Sequence, residues 1–196
     1  MKRNILRKKQ KRDISNRWLK RHLNDEYYIK AKIDGFRSRA SYKLIQIDNK
    51  FNFLKSRKGI LDLGCSPGGW LQVADKFSPY DSKILGIDLI DLEKIPNITF
   101  LKKNIFDSDI IYKIRDFFDE KKIDLLMSDM SPNSSGNKNL DHLRIVSLVE
   151  RVIEISNEIL DKDGILVSKI FQGGAQGELF AQMEKTLDSI KYFKPK

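Results

Sequence analysis

The stretch Gly59-Ile-Leu-Asp-Leu-Gly-Cys-Ser-Pro-Gly-Gly-Trp-Leu-Gln-Val-Ala74 decides how the rest of the chain is read. Ile60, Leu61 and Leu63 form a short apolar run of strand length. Gly64 to Gly69 has almost no side-chain bulk, and helical spacing then resumes through Leu71, Ala74 and Phe77. Strand, glycine turn and helix open a nucleotide-binding βα unit. The first turn of such a helix offers free N–H groups and the positive end of the helix dipole. The missing Cβ atoms let an oxygen-rich ligand approach the backbone.

Outward from this unit the pattern is α/β alternation. Strands are expected over 60–64, 83–89, 98–102, 123–129 and 165–171. Helices are expected over 69–77, from Asp107 through Phe118, from Asp141 to Gly164 and from Glu178 to about Asp188, with a last strand candidate over 189–193. Upstream, weak helical spacing over 15–32 is broken by Gly35. Ser38 then caps a helix running to Phe51, with Ala40, Leu44, Ile47 and Phe51 as its apolar stripe. Lys43 shares that stripe, where a lysine ordinarily snorkels to solvent. Strands separated by helices imply a Rossmann-like α/β fold, a mostly parallel sheet flanked by helices with right-handed crossovers.

At 196 residues the chain is long enough for one domain with its own core. No apolar run approaches membrane-spanning length and no signal-peptide pattern precedes the core, so a soluble, cytoplasmic protein is expected, with no membrane partner, as a monomer. The single cysteine, Cys65, excludes an internal disulfide, and the two histidines, His22 and His142, leave no ligand set for structural zinc. The net charge is +10. Residues 1–58 hold 19 of the 37 basic and 5 of the 27 acidic side chains, which leaves 18 basic and 22 acidic for 59–196. The whole positive excess therefore precedes the glycine turn, interleaved with Trp18, Tyr27, Tyr28 and Phe36, which can stack on bases. This asymmetry points to a nucleic acid, against the plainer reading of a solvated basic tail. Residues 1–37 are expected to be a basic RNA-binding extension on an α/β domain over 38–196.

Three ligands compete for the glycine turn. Gly64-Cys-Ser-Pro-Gly68 matches the G-x-S-x-G nucleophile elbow, with Asp129 and His142 following in hydrolase order. Pro67 argues against it, because that oxyanion hole uses the N–H of the residue after the nucleophile. A dinucleotide loop needs G-x-G-x-x-G, and Ser66 stands at its second glycine. The third reading is S-adenosylmethionine: Asp62-Leu-Gly-Cys-Ser-Pro-Gly-Gly-Trp70 looks like the first motif of class I methyltransferases. Asp88, at the end of the second strand, can then accept both ribose hydroxyls, a reading preferred here over that of a helix cap in an ordinary loop. Asn104 follows the third strand, where such enzymes contact adenine.

Later motifs narrow the resemblance. Ser38-Arg-Ala-Ser-Tyr-Lys-Leu44, Asp62–Trp70, Met127-Ser-Asp-Met-Ser-Pro-Asn133 and Val167-Ser-Lys-Ile-Phe-Gln-Gly173 occur in that order. Together they resemble the FtsJ/RrmJ family, the bacterial heat-shock 2′-O-methyltransferases of large-subunit ribosomal RNA, from about Trp18 onward. The resemblance implies a class I S-adenosylmethionine-dependent methyltransferase domain that modifies a ribose, a uridine in the family, on 23S RNA in the assembled 50S particle, without a metal. It assigns Lys43, Asp129 and Lys169 to catalysis, Lys169 as the base. It assigns Gly64, Gly68, Gly69, Trp70, Asp88, Asn104 and Asp129 to the cofactor; Asn104 departs from the usual aspartate. Transfer RNA is an alternative substrate among relatives that share the motifs.

The residue chemistry agrees with this assignment. A ribose hydroxyl attacks a sulfonium methyl in line as it loses its proton, and a neutral lysine can take that proton. Burial and a second cation, Lys43, favour the neutral form, whereas Asp129 opposes it and is assigned to orientation. A Lys169–Asp129 ion pair that merely stitches two strands is the structural alternative. The family's glutamate should lie just beyond Lys194-Pro195, on the last sheet strand. The sequence stops first, so either C-terminal residues are lacking or the protein is a catalytically weakened ribosome-assembly factor.

Overall fold

The computed structural model describes residues 25–132, 135–170, 181 and 183–195. Trp18 and the rest of 1–24, Asn133 and Ser134, the stretch 171–180 with the end of the fifth expected strand and the motif residue Gly173, Gln182 and Lys196 lie outside the described residues.

Five strands, β1 (Gly59–Leu63), β2 (Lys83–Asp88), β3 (Ile98–Lys102), β4 (Ile123–Ser128) and β5 (Leu160–Ser168), form one sheet in the order β3-β2-β1-β4-β5, every pairing parallel. The helices are α1 (Glu26–Ile33), α2 (Ser41–Phe51), α3 (Gly69–Phe77), α4 (Ile110–Phe117) and α5 (Lys138–Ile159). The central strand β1 is apolar but for Asp62, because helices cover both of its faces. On one face Ile60, Ile84, Leu125 and Met127 pack with Leu44 of α2 and Leu71, Val73 and Ala74 of α3. On the other, Leu61, Leu63, Leu85 and Leu126 pack with Ile110 and Ile114 of α4 and Val152, Ile155 and Ile159 of α5. The period-two alternation of β1 therefore places Asp62 on the α2–α3 face with Ile60. The strand order reverses between β1 and β4, and the crevice beyond their carboxyl ends is where open sheets of this kind bind ligands.

β1 to β4 and α3 fall within a residue or two of the expected spans. The helix from Ser38 instead starts at Ser41; Ser38 still serves the turn, its Oγ accepting from the Ala40 N–H at 3.0 Å. Two expectations are corrected. The helix expected to run to Gly164 ends at Ile159, and β5 starts at Leu160 rather than Ile165. Leu160 pairs with Ile123 and packs into the α4–α5 core, and the ladder then shifts register through the polar Asp161-Lys-Asp-Gly164. A Cβ on Gly164 would lie 2.9 Å from the Asp161 carbonyl oxygen, so this tight bend requires glycine there. The strand expected at 189–193 is not a strand. No described strand lies alongside to complete its hydrogen bonds. Ile190 packs by Val149, Ile153 and Met183, and the Phe193 ring meets Phe51 of α2 at 6.0 Å. Of the helix expected over 178–188, residue 181 and residues 183–186 are helical.

Residues 25–37 pack onto this core. Asp25 caps α1, its side chain accepting from the N–H groups of Tyr27 and Tyr28, and it pairs with Arg39. Tyr42 of α2 stacks against Tyr27 at 5.4 Å and Phe36 at 5.8 Å. The far end of α2 rests on one carboxylate: buried Asp48 accepts from the N–H groups of Phe53 and Leu54, each at 2.9 Å. Asp48→Ala leaves both donors without a partner and is expected to lower unfolding stability by about 2–3 kcal/mol, read from urea denaturation midpoints at unchanged slope.

Candidate active site

The three residues expected to do chemistry meet at the carboxyl edge of the sheet. Asp129 follows β4 and Lys169 follows β5. The paired Ser128 and Ser168 bring the strand ends level, and the Lys169 N–H donates to the Ser128 carbonyl oxygen at 2.8 Å. Lys43 arrives from the first turn of α2, which is fixed against α3 by a hydrogen bond from Ser41 Oγ to the Gly69 carbonyl oxygen at 3.0 Å. Lys43 Nζ donates to Asp129 Oδ2 at 3.1 Å. Lys169 Nζ lies 3.0 Å from Asp129 Oδ1 and also donates to the Asp129 backbone carbonyl oxygen at 3.0 Å. The Asp129 side chain is 17% exposed, that of Lys169 25% and that of Lys43 40%. One carboxylate is thus shared between two ammonium groups.

The glycine turn faces this cluster. Gly64 has φ +73°, and a Cβ there would fall 2.1 Å from Met130 Cγ; Gly68 has φ +104°, and its Cβ would fall 2.8 Å from Ile95 Cδ1. Both positions therefore require glycine. Gly69 starts α3, and a Cβ on it would lie 2.8 Å from Ser41 Oγ. Trp70 is buried in the first turn of α3, with its indole N–H donating to the Ala40 carbonyl oxygen at 2.8 Å, so the indole is not free to meet a ligand. Asp88 ends β2 with both oxygens engaged: Oδ2 accepts from the Ser66 N–H at 2.8 Å and Oδ1 from the Ile90 N–H at 2.9 Å. Asn104 lies two residues past β3, its side-chain oxygen accepting from the Phe106 N–H at 3.1 Å.

Asp62 was not among the expected site residues. It is 1% exposed, and its Oδ2 has no hydrogen-bond partner among the described residues. Burial, reinforced by the Asp129 and Asp88 carboxylates, pushes its carboxyl well above the usual carboxylate range. A carboxylate in an otherwise apolar strand is the signal that marks it in sequence. Cys65 is a free, buried thiol pushed up first by burial and then by the Asp62 and Asp88 charges, so it is not an activated nucleophile. Three carboxyl groups, Asp62, Asp88 and Asp129, therefore lie around a glycine-rich turn. The residues fit a nucleoside ligand that carries a positive charge, such as S-adenosylmethionine.

A parallel sheet in this order, with a glycine turn after β1, an acid ending β2 and a lysine–aspartate–lysine cluster across the switch point, defines a class I methyltransferase fold. The FtsJ-like methyltransferase family model matches residues 36–196, and the chain belongs to that family. It is 43% identical over 184 residues to a ribosomal RNA large subunit methyltransferase E of Rhodopseudomonas palustris, covering 92% of this chain and 78% of that protein. It is 40% identical over 186 residues to the protein of that name from Rickettsia conorii, covering 92% and 82%. The crystal structure of a ribosomal RNA methyltransferase from Plasmodium falciparum superposes with a TM-score of 0.76 at 33% identity, covering 81% of this chain and 91% of that one. No helix among the described residues is long and apolar enough to cross a membrane.

Proposed function

We propose that this protein methylates a ribose 2′-hydroxyl of large-subunit ribosomal RNA, using S-adenosylmethionine, as a cytoplasmic enzyme acting on the assembled 50S particle. The observation that carries the reading is the single carboxylate of Asp129 shared by Lys43 and Lys169 beside the glycine cradle. The names of the related proteins support the RNA class. The 2′-oxygen, with uridine as the nucleoside, rests on the family resemblance.

Bound in the crevice, S-adenosylmethionine supplies a methyl group on a positively charged sulfur. The backbone of Gly64, Gly68, Gly69 and Trp70 receives its amino-acid end, where side chains would obstruct approach. Asp88, already oriented by Ser66 and Ile90, accepts from the ribose hydroxyls. The side-chain oxygen of Asn104 is taken by Phe106, which leaves its amide nitrogen to donate to adenine. Asp129 would supply negative charge beside the sulfonium. Lys169 would take the proton of the 2′-hydroxyl, and the methyl group for that oxygen would come from the bound S-adenosylmethionine. Lys43 holds Asp129 in place beside Lys169. The basic segment before residue 38 gathers the RNA, whose phosphates supply the complementary charge.

The test is incubation with methyl-labelled S-adenosylmethionine and either 50S subunits or transfer RNA. Label in 50S RNA is expected. Label in transfer RNA alone moves the substrate to that class. No label in either, with 50S binding intact, replaces the enzyme reading by that of an assembly factor.

A further inference from the structure

One arginine outside the cluster reaches both loops that shape the cofactor crevice. Arg37 lies between α1 and α2. Its backbone N–H donates to Gln72 Oε1 at 2.8 Å, and Gln72 Nε2 donates to the Gly35 carbonyl oxygen at 3.1 Å, which pins this linker to the start of α3. The guanidinium then leaves the linker and donates to three backbone carbonyl oxygens: Glu93 at 2.7 Å, Lys94 at 3.0 Å and Pro67 at 3.4 Å. Pro67 belongs to the glycine turn. Glu93 and Lys94 belong to the segment after β2, which has no regular structure from residue 89 to residue 95. The fixed planar fork of arginine suits such a task, in which several acceptors must be held at once. The Glu93 carboxylate lies 3.9 Å away and is 94% exposed, so the main-chain carbonyls, not this ion pair, define the contact.

The two bridged segments are those on which Asp88 depends. Its Oδ2 is held by Ser66 of the glycine turn and its Oδ1 by Ile90 of the segment beyond β2. The segments also press together over Gly68, where an added Cβ would meet Ile95, Leu92 and the Arg37 side chain itself at 2.8, 3.1 and 3.4 Å. Besides the guanidinium, Leu92 and Ile95 pack over Gly68, and an exposed Asp91–Lys102 ion pair at 2.6 Å ties the segment to β3 rather than to the turn.

We propose that Arg37 is a positioning residue for the cofactor site: it buckles the glycine turn to the segment after β2 and so fixes the Asp88 carboxylate in its ribose-binding orientation. This rests on the S-adenosylmethionine reading given above. It also ties the N-terminal helical hairpin, the part of the described chain nearest the basic segment, to cofactor affinity.

The proposal is tested with the full chain and the variants Arg37→Ala, Arg37→Gln and Arg37→Lys. In the cofactor-free protein, amide hydrogen exchange at residues 89–94 is expected to quicken in the alanine variant while that of β1 and β4 stays unchanged. S-adenosylmethionine affinity by calorimetry is expected to fall about tenfold, with KM for the cofactor rising in step and kcat within about twofold. Lysine, with one point charge for three carbonyls, is expected to restore part of the affinity, and glutamine less. An alanine variant with lowered melting temperature but wild-type exchange at 89–94 and wild-type affinity would mean that Arg37 merely braces the fold, and would overturn the proposal. If the alanine variant does not fold, the glutamine variant carries the same two readouts. Failure of the wild-type protein to bind S-adenosylmethionine would overturn the ligand reading, and the proposal with it; the exchange data would then still report whether the buckle exists.

Discussion

Lys169→Ala is expected to retain S-adenosylmethionine binding within about twofold and to lose methyl transfer by about 10²–10⁴-fold, the usual worth of a positioned base. The binding expectation follows from geometry. Asp88 is held by Ser66 and Ile90, Asn104 accepts from Phe106, and Asp129 keeps Lys43 as its partner at 3.1 Å. The loss follows because no other described group at the end of β5 reaches Asp129 in its place. Lys169→Arg separates a base from a mere cation. Arginine preserves the charge beside Asp129 but does not give up its proton at working pH, so it is expected to be as inactive as alanine. Single-turnover methylation with preloaded cofactor, alongside calorimetry, checks both. Activity in the arginine variant would reduce Lys169 to an electrostatic or structural role.

Asp129→Ala is expected to fail at both tasks: transfer down by about 10³-fold and cofactor affinity down about tenfold or more. Its carboxylate is shared by Lys43 and Lys169, one oxygen to each. Without it, two ammonium groups face each other with no counter-charge and move apart, so the base leaves its position. A cationic ligand also loses one of the acidic groups around it, because Asp129 lies close enough to push the Asp62 carboxyl upward. Asp129→Asn keeps the shape and removes the charge. It is expected to follow alanine in cofactor affinity, with affinity for the uncharged product, S-adenosylhomocysteine, changed least. Equal losses for charged and neutral ligand would show that Asp129 acts through shape alone.

The fold was legible where structure is local. β1, the turn and α3 are contiguous, and each has its own sequence signature: an apolar run, glycines that require positive φ, and helical spacing. The ends of β5 were not legible, because Leu160 continues the helical pattern of α5 and becomes a strand only through pairing with Ile123. The segment 189–193 has strand composition, but composition cannot supply a neighbouring strand. The lysine–aspartate–lysine cluster was legible through motifs, since its members lie at strand ends and on one helical stripe. Arg37 was not, because its partners are main-chain carbonyls at Pro67, Glu93 and Lys94, which leave no mark in residue identity. Asp62 was visible as a residue but not as a problem: that its Oδ2 is unpartnered emerges only once Asp88 and Asp129 converge on it.

The position of the transferred methyl group tests the account most directly. RNA from 50S subunits treated with the protein and methyl-labelled S-adenosylmethionine is digested to nucleosides and resolved by mass spectrometry. The label is expected in a single 2′-O-methylated nucleoside, absent when the Lys169→Ala protein is used. Label on a base, or an unchanged yield of 2′-O-methyl nucleoside with Lys169→Ala, would contradict the assignment of Lys43, Asp129 and Lys169 to ribose methylation.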